Sequence, residues 1–331
     1  MANGNEAEKD GIYPSKEESR GLLQAAVRDG VIENRVFAAL DLSGAEITGL
    51  VFEKVSLRGS FAGAVFTGCH FKDVTFEGCD FGSASFGSSR FENAVVKDSS
   101  FKGSCFSDIS FGGVIVRDSD FSKSAVFDVI FSGSFSFSGG SLAEAFFSKV
   151  EFGDATIMNA LLANAIFREV RFGSLAIVES KAPNLQMGGL ETADFAVVRS
   201  DLEAANFTGA RIAGARFSDS NLAAAFFPDA DLSGSAFERI GAPAAIFRGA
   251  NLEGANLNGL NAPHADFSHA SLPSADLGGA ILDGANFHRV RGVDPDAARA
   301  KSVKGARGTD PDLARAEDFV PFSRRKKATD R

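Results

Sequence analysis

Tryptophan is absent from this sequence and tyrosine occurs once, although phenylalanine occurs 33 times. The two scarce aromatics carry a polar tip that needs a partner when buried, so this composition predicts a dry interior. Three cysteines, an odd number without CxxC spacing, argue against a disulfide framework or a structural zinc site. No run of about 18 apolar residues occurs, which leaves no candidate membrane-spanning helix. The opening stretch MANGNEAEKDG is polar and acidic where a secretory leader would be basic and then apolar. Together these absences predict a soluble, cytoplasmic chain with reduced thiols.

What is present is a phrase. AIFRGANLEGANLNG, residues 245–259, says one five-letter unit three times, with Phe247, Leu252 and Leu257 as apolar centres. Counting outward, centres fall every five residues from Phe137 to Phe287, from Phe61 to Phe131 in a register displaced by one, and from Leu42 to Leu57. Of fifty such centres only Thr192 is not apolar, and 25 of the 33 phenylalanines are centres. Two places before a centre the chain prefers a small residue, as at Ala64, Ala84, Ala145, Ala205 and Ala250, and an outward residue, often Asn or Asp, stands between them. Small-in, polar-out, large-in is strand alternation, but a Gly- or Ser-containing pair breaks it after three residues. Each unit therefore reads as a very short extended piece followed by a corner.

A longer period sets how many corners close a coil. Phe147, Phe167, Met187, Phe207, Phe227, Phe247, Phe267 and Phe287 recur every twenty residues, while Leu142, Leu162, Leu202, Leu222 and Leu282 keep the same step with another residue type. Four units per turn would stack like on like, giving each side of a square tube its own core ladder. Units such as ANLEG, ADLGG, ADFSH and CDFGS resemble the pentapeptide-repeat family over roughly residues 40–290. The resemblance implies an all-β solenoid, a right-handed quadrilateral parallel β-helix. Fifty units make about twelve coils, and strands about 4.8 Å apart make a rod of about 60 Å. Such coils bury little alone, so both ends need covers.

The predicted organisation is a disordered segment (1–14), an N-terminal capping-helix region (15–39), the β-helix (40–290), short C-terminal capping helices (291–319) and a basic flexible tail (320–331). SKEESRGLLQAAVRDG has Ser15 and Glu18 spaced as a capping box before an apolar stripe and Gly30, predicting a helix over about 16–28. DPDAARA and DPDLARA place Asp294 and Asp310 at helix N-caps with proline at the first helical position. Within the array, one residue is missing between Leu57 and Phe61, and one is added between Phe131 and Ser141. Across 178–201, Leu185, Leu190 and Phe195 compete with Met187 and Thr192 as centres, which predicts a bulge or small loop.

For chemistry the sequence offers little. His264 and His269 are five apart, hence on adjacent sides, and all four histidines read as surface residues rather than metal ligands. Cys69 and Cys79 take the small inward position, whereas Cys105, next to Phe106, should point outward as the one candidate reactive thiol. No P-loop or dinucleotide fingerprint occurs. No catalytic, metal or cofactor site is assigned.

The expected function is therefore non-enzymatic: a protein–protein interaction scaffold with a protein partner of unknown identity, docking on flat sides, the bulge or the terminal helices. The chain is expected to bind no nucleic acid directly and no membrane. The resemblance adds a monomer or a homodimer through the C-terminal helices, and two alternatives. One is a secreted effector or secretion-system accessory. The other is a DNA-mimicking regulator or protector of DNA gyrase, since some members of the family resemble duplex DNA. Residues 41–290 carry 29 acidic against 18 basic side chains, a net of −11, whereas about 60 Å of duplex carries about 35 charges. The most acidic side holds Glu151, Asp154, Glu191, Asp194, Asp231 and Glu253, interrupted by Arg171 and Arg211.

Overall fold

The computed structural model describes residues 15–292 and 299–318. Two residues after a centre the backbone enters the left-handed region, as at Gly63 (φ 65°), Asp73 (φ 53°), Ser83 (φ 56°), Asn93 (φ 52°) and Gly254 (φ 65°). Glycine adopts this conformation freely, and Asn and Asp tolerate it better than other residues, so the corner chemistry is a backbone demand. The corner is closed by a turn in which the N–H three residues on donates to the centre's carbonyl, as from Ala64 to Phe61 at 2.9 Å. Equivalent positions one coil apart then pair in parallel: Phe91 with Phe111, Val96 with Val116, Phe147 with Phe167. With a corner every five residues and pairing at twenty, each coil has four walls.

The walls are distinguished by their centres. Wall A carries Phe52, Phe71, Phe91, Phe111, Phe131, Phe152 and Phe172. Wall B carries Leu57, Phe76, Val96, Val116, Phe137 and Ile157. Wall C begins with a stack of Phe61, Phe81, Phe101 and Phe121 and continues with Leu142 and Leu162. Wall D carries Ile47, Phe66, Phe86, Phe106, Val126, Phe147 and Phe167. Farther along wall D, Met187 is buried, and Phe207, Phe227, Phe247, Phe267 and Phe287 stack with centroids 5.2, 5.1, 5.0 and 5.3 Å apart. Interplanar angles of 3–8° in that column match offset parallel stacking, and each fully buried ring contributes up to about 3 kcal/mol of apolar burial.

Most serines that enter the tube are satisfied between coils, Ser124 being an exception whose buried Oγ has no partner. Buried Ser180, Ser200 and Ser220 accept hydrogen bonds from the N–H groups of Ala160, Ser180 and Ser200 at 3.0–3.2 Å. Ser99 and Ser119 repeat the device on earlier coils. At these positions serine stands in for alanine without leaving a donor unpaired.

The two changes of register are located sharply. The coil before Phe61 has nineteen residues because the pairing step shifts between Leu57 and Gly59, where Gly59 holds φ 141°. The added residue lies in Ser132–Ser134, since Phe111 pairs with Phe131 but Val114 pairs with Phe135. The bulge or loop expected over 178–201 is absent. Lys181, Gln186 and Glu191 pair with Asp201, Asn206 and Arg211 at the ordinary step of twenty. Leu185 and Met187, and likewise Leu190, all face inward, because the small position and the centre both do; a large residue at the small position does not move the frame.

Parallel pairing also extends beyond residues 40–290. It begins with Val31–Glu33 on Val51–Glu53 and continues to Asn286 with Arg307. Ile32 at 0% exposure is an inward centre that an apolar count starting at Leu42 leaves out. At the N-terminal end, helix α1 (Lys16–Ala26) has Ser15 as N-cap in a complete capping box with Glu18. It lays Leu23 on the core, and its Ser19 hydroxyl accepts the Asp41 N–H at 2.9 Å. At the other end, helix α2 (Pro311–Asp318) follows Asp310, whose Oδ1 accepts the N–H groups of Asp312 and Leu313. The cap assigned to Asp294, the segment 1–14 and the tail 320–331 lie outside the described residues.

Candidate functional site

Three surface arrangements have the makings of a site. The first is the acidic side. Outward Asp and Asn residues accept the N–H two residues on, as Asp80 does from Gly82, Asp231 from Ser233, Asn251 from Glu253 and Asp266 from Ser268, at 2.9–3.2 Å. They thereby pre-shape the next corner, the reason these residues favour turns. They also link coils: Asn251 and Asn286 donate side-chain amide hydrogens to Asp231 and Asp266. Asp231 is thus committed to structure.

Its predicted companions are largely neutralised. Glu191 lies between Arg171 at 3.2 Å and Arg211 at 2.6 Å, Asp194 pairs with Arg216 at 2.8 Å, and Asp154 accepts the Ser174 hydroxyl. Glu151 and Glu253 are exposed on the same side. Carboxylates intercalated with guanidinium groups do not present a duplex-like run of negative charge, and exposed pairs of this kind contribute at most about 1 kcal/mol each.

The second arrangement is a cluster at the C-terminal end. His269 and His288 are nineteen residues apart, one short of a coil step, so they lie on adjoining coils with their rings 5.5 Å apart, and Glu317 of α2 joins them with its oxygens 3.3 and 3.2 Å from their Nε2 atoms. His288 is buried, which corrects its reading as a surface residue; His264 is exposed at a corner, and His70 lies 3.3 Å from Glu92. Two imidazoles and a carboxylate have the composition of a metal site. Their hydrogen bonding suits a lock. The Asp310 N–H donates to His288 Nδ1 at 3.1 Å, so the neutral ring carries its proton on Nε2 and donates it to Glu317. A metal-ligating Nε2 needs the opposite tautomer. Glu317 is further held by Arg289 at 3.0 Å, and Arg289 also reaches Asp318 at 2.7 Å and the Ala314 carbonyl.

Since α2 buries no side chain, these polar contacts fasten it to the last coil. Burial at the junction works to raise the Glu317 carboxyl, but the His288 hydrogen bond and the coulombic pull of neighbouring groups, Arg289 among them, outweigh it and hold the group below the ordinary carboxylate range. A depressed carboxyl stabilises the docked helix above its unfolded value and loses that contribution as pH falls through the folded one. The α2 amides are therefore expected to lose hydrogen-exchange protection on acidification before the solenoid does. His288→Ala is expected to release them at neutral pH with wall protection unchanged; full protection of α2 in that variant would contradict the lock.

The third arrangement is on wall D, where outward positions that elsewhere hold Asn, Asp or Ser are apolar. Ala125, Phe146 and Ile166 stand above one another in register, and Phe127 packs beside Phe146 with centroids 5.6 Å apart. Ile166 is 40% exposed. Gln186 and Asn206 interrupt the run before Phe226, 38% exposed, and Ile246. Cys105 borders it, paired with Ala125 and partly exposed, whereas Cys69 and Cys79 are buried. Burial pushes the Cys79 thiol up to about 12 and raises that of Cys69. One thiol per native chain, Cys105, is expected to react rapidly with a disulfide reagent, and the other two only on denaturation. Rapid reaction of all three would contradict the buried placement.

A four-walled parallel β-solenoid whose outward residues serve its corners and coil-to-coil ladders defines a structural repeat protein. Two family profiles match it: Pentapeptide repeats (8 copies) over residues 200–239 and 250–289, and Pentapeptide repeats (9 copies) over 61–104. Over those segments the chain carries pentapeptide repeats. Among solved structures it is similar to QnrB1, a plasmid-mediated fluoroquinolone resistance protein, at 17% identity over 65% of this chain and 88% of that one, with a TM-score of 0.25. It is also similar to HetL, involved in heterocyst differentiation regulation in Nostoc sp. strain PCC 7120, at 18% identity over 79% and 86%, with a TM-score of 0.19. A pentapeptide repeat protein of the Arabidopsis thaliana thylakoid lumen aligns at 24% identity over 32% and 71%, with a TM-score of 0.20. No curated protein matches the chain.

Proposed function

We propose that this chain is a non-enzymatic scaffold of the cytoplasm that docks a protein partner on wall D. The observation that carries this reading is the register-aligned run Ala125, Phe146 and Ile166 with Phe127 beside it. A flat parallel wall holds these side chains at a fixed spacing, and a contiguous apolar patch rimmed by polar residues marks an interaction surface. The DNA-mimic alternative draws no comparable support, because the arginines beside Glu191 and Asp194 cancel the charge it would need.

The test places a photo-crosslinking residue at Ile166 in the native cell. A discrete crosslinked protein is expected, and it should disappear when Phe127 and Phe146 are both replaced by serine in a chain that unfolds at an unchanged temperature. No discrete adduct from the native chain, or one indifferent to both replacements, would reject wall D as the docking surface. Inhibition of gyrase supercoiling by the purified chain would favour the mimic instead.

A further inference from the structure

The core is not filled evenly. Along wall D the phenylalanine column is continuous from Phe66 through Phe86 to Phe106, with centroids 4.8 and 5.0 Å apart, and resumes as Phe147 stacked on Phe167 at 4.6 Å. Between Phe106 and Phe147 the register places Val126. Wall B, across the tube, also changes residue type at this level: Phe76 is followed by Val96 and Val116 before Phe137. An isopropyl group replaces a benzyl group at three inward positions on neighbouring coils. The flanking rings cannot close the gap, because the hydrogen-bonded coil spacing fixes their separation along the axis.

The result is a cavity of about 50 Å³ inside the rod, lined solely by apolar side chains, among them Val96, Val116, Val126, Phe106, Phe137 and Phe147. A water molecule would fit, since one needs only about 10–15 Å³ of such volume, but it also needs two or more polar partners. Two inward serines stand near it without lining it: Ser104 donates to the Phe101 carbonyl at 2.7 Å, and Ser124, two residues before Val126, has a buried Oγ with no partner. No polar atom lines the cavity, so it is dry. A dry apolar cavity of about 150 Å³ takes benzene or xenon. One a third of that size is too small for an aromatic ring and matches a single heavy atom or a diatomic molecule.

We propose that the space between Val96, Val116 and Val126 is a binding site for a monatomic or diatomic apolar guest, of which xenon is the probe. The affinity comes from dispersion contacts that the lining otherwise lacks, because a void offers its walls no partner atoms. Entry requires transient opening between coils, and the way in is assigned to the added residue at Ser132–Ser134, where the pairing step changes between the lining residues Phe131 and Phe135.

The experiment is a xenon titration of the full chain followed by the methyl resonances of valine. Saturable shifts at Val96, Val116 and Val126, and none at Val55 or Val74, are the expected result. Val126→Phe completes the Phe106–Phe147 column and should weaken xenon binding by about tenfold or more, while Val126→Ala should strengthen it several-fold by enlarging the space. The alanine variant serves if the phenylalanine variant does not fold, because underpacking leaves the coils paired. Absence of saturable shifts in the native chain, shifts unaffected by both replacements, or an ordered water found in the cavity at high resolution would overturn the assignment.

Discussion

Replacing Phe227 with alanine is expected to lower the stability of the solenoid by about 3–5 kcal/mol, the usual range for a buried aromatic removed from a close-packed core. Phe227 has no exposed surface. It is sandwiched between Phe207 and Phe247 at 5.2 and 5.1 Å, and Phe217 packs edge-on at 6.0 Å. The coils on either side cannot collapse into the void, because their backbones are tied by hydrogen bonds from Phe207 to Phe226 and from Phe227 to Ile246, both at 2.7 Å. Phe287 supplies the comparison. It has a ring neighbour in the column on one side only, Phe267 at 5.3 Å, so its truncation should cost less. Chemical denaturation of both variants measures the difference, and amide exchange should show the Phe227 loss centred on its own coil and its neighbours, since each coil contacts only those beside it. A Phe227→Ala variant weakened by less than about 1 kcal/mol would contradict a closed, packed column.

The second large effect is expected at Gly59. The nineteen-residue coil is accommodated there by a backbone with φ 141°, a conformation that L side chains rarely adopt. A Cβ on this residue would lie 2.1 Å from the Leu40 carbonyl oxygen and 2.5 Å from its nitrogen, both backbone atoms of the adjoining coil. Gly59→Ala therefore combines conformational strain with a collision that no rotamer relieves, and should cost on the order of 3 kcal/mol. The first coil is expected to detach, with amide protection lost over Val31–Asp41 and α1 and kept beyond Phe61. Gly68→Ala is the control. Gly68 occupies an ordinary corner at φ 63° with nothing near its missing Cβ, and residues such as Asp73 and Ser83 take that conformation elsewhere in the rod. Its cost should stay near 1 kcal/mol. Equal losses in the two variants would show that the position of the missing residue has been misplaced.

The distribution of legible and hidden features follows from distance along the chain. A five-residue unit contains its own corner, its own inward pair and its own outward residue, so Phe247, Ala245 and Gly249 can be placed from letters that lie together. Where two large apolar residues share a unit, as Leu185 does with Met187, letters alone suggest a slip of frame, and only the inter-coil hydrogen bonds show that none occurs. On the acidic side the repeat already places Arg171 and Arg211 on the same wall as Glu191. That they reach Glu191, and that Arg216 reaches Asp194, is decided between coils, twenty or more residues apart. The His269–His288 pair was available in principle, since nineteen is one coil step less one. Glu317 was not, because nothing in the repeat indicates where the chain returns after its last coil.

The sequence by itself determined the shape of this protein. A period of five nested in a period of twenty leaves one economical arrangement, four short walls stacked in parallel, because only there do like residues bury one another while every fifth residue bends the backbone. Tertiary structure alone decided the rest: which charges cancel, which outward apolar residues align, where the core is underfilled and how α2 is fastened. Each of these depends on groups brought together across coils or across the tube. The reason is physical: apolar periodicity is dictated by local backbone geometry, whereas pairing, void and contact belong to the spacing between coils.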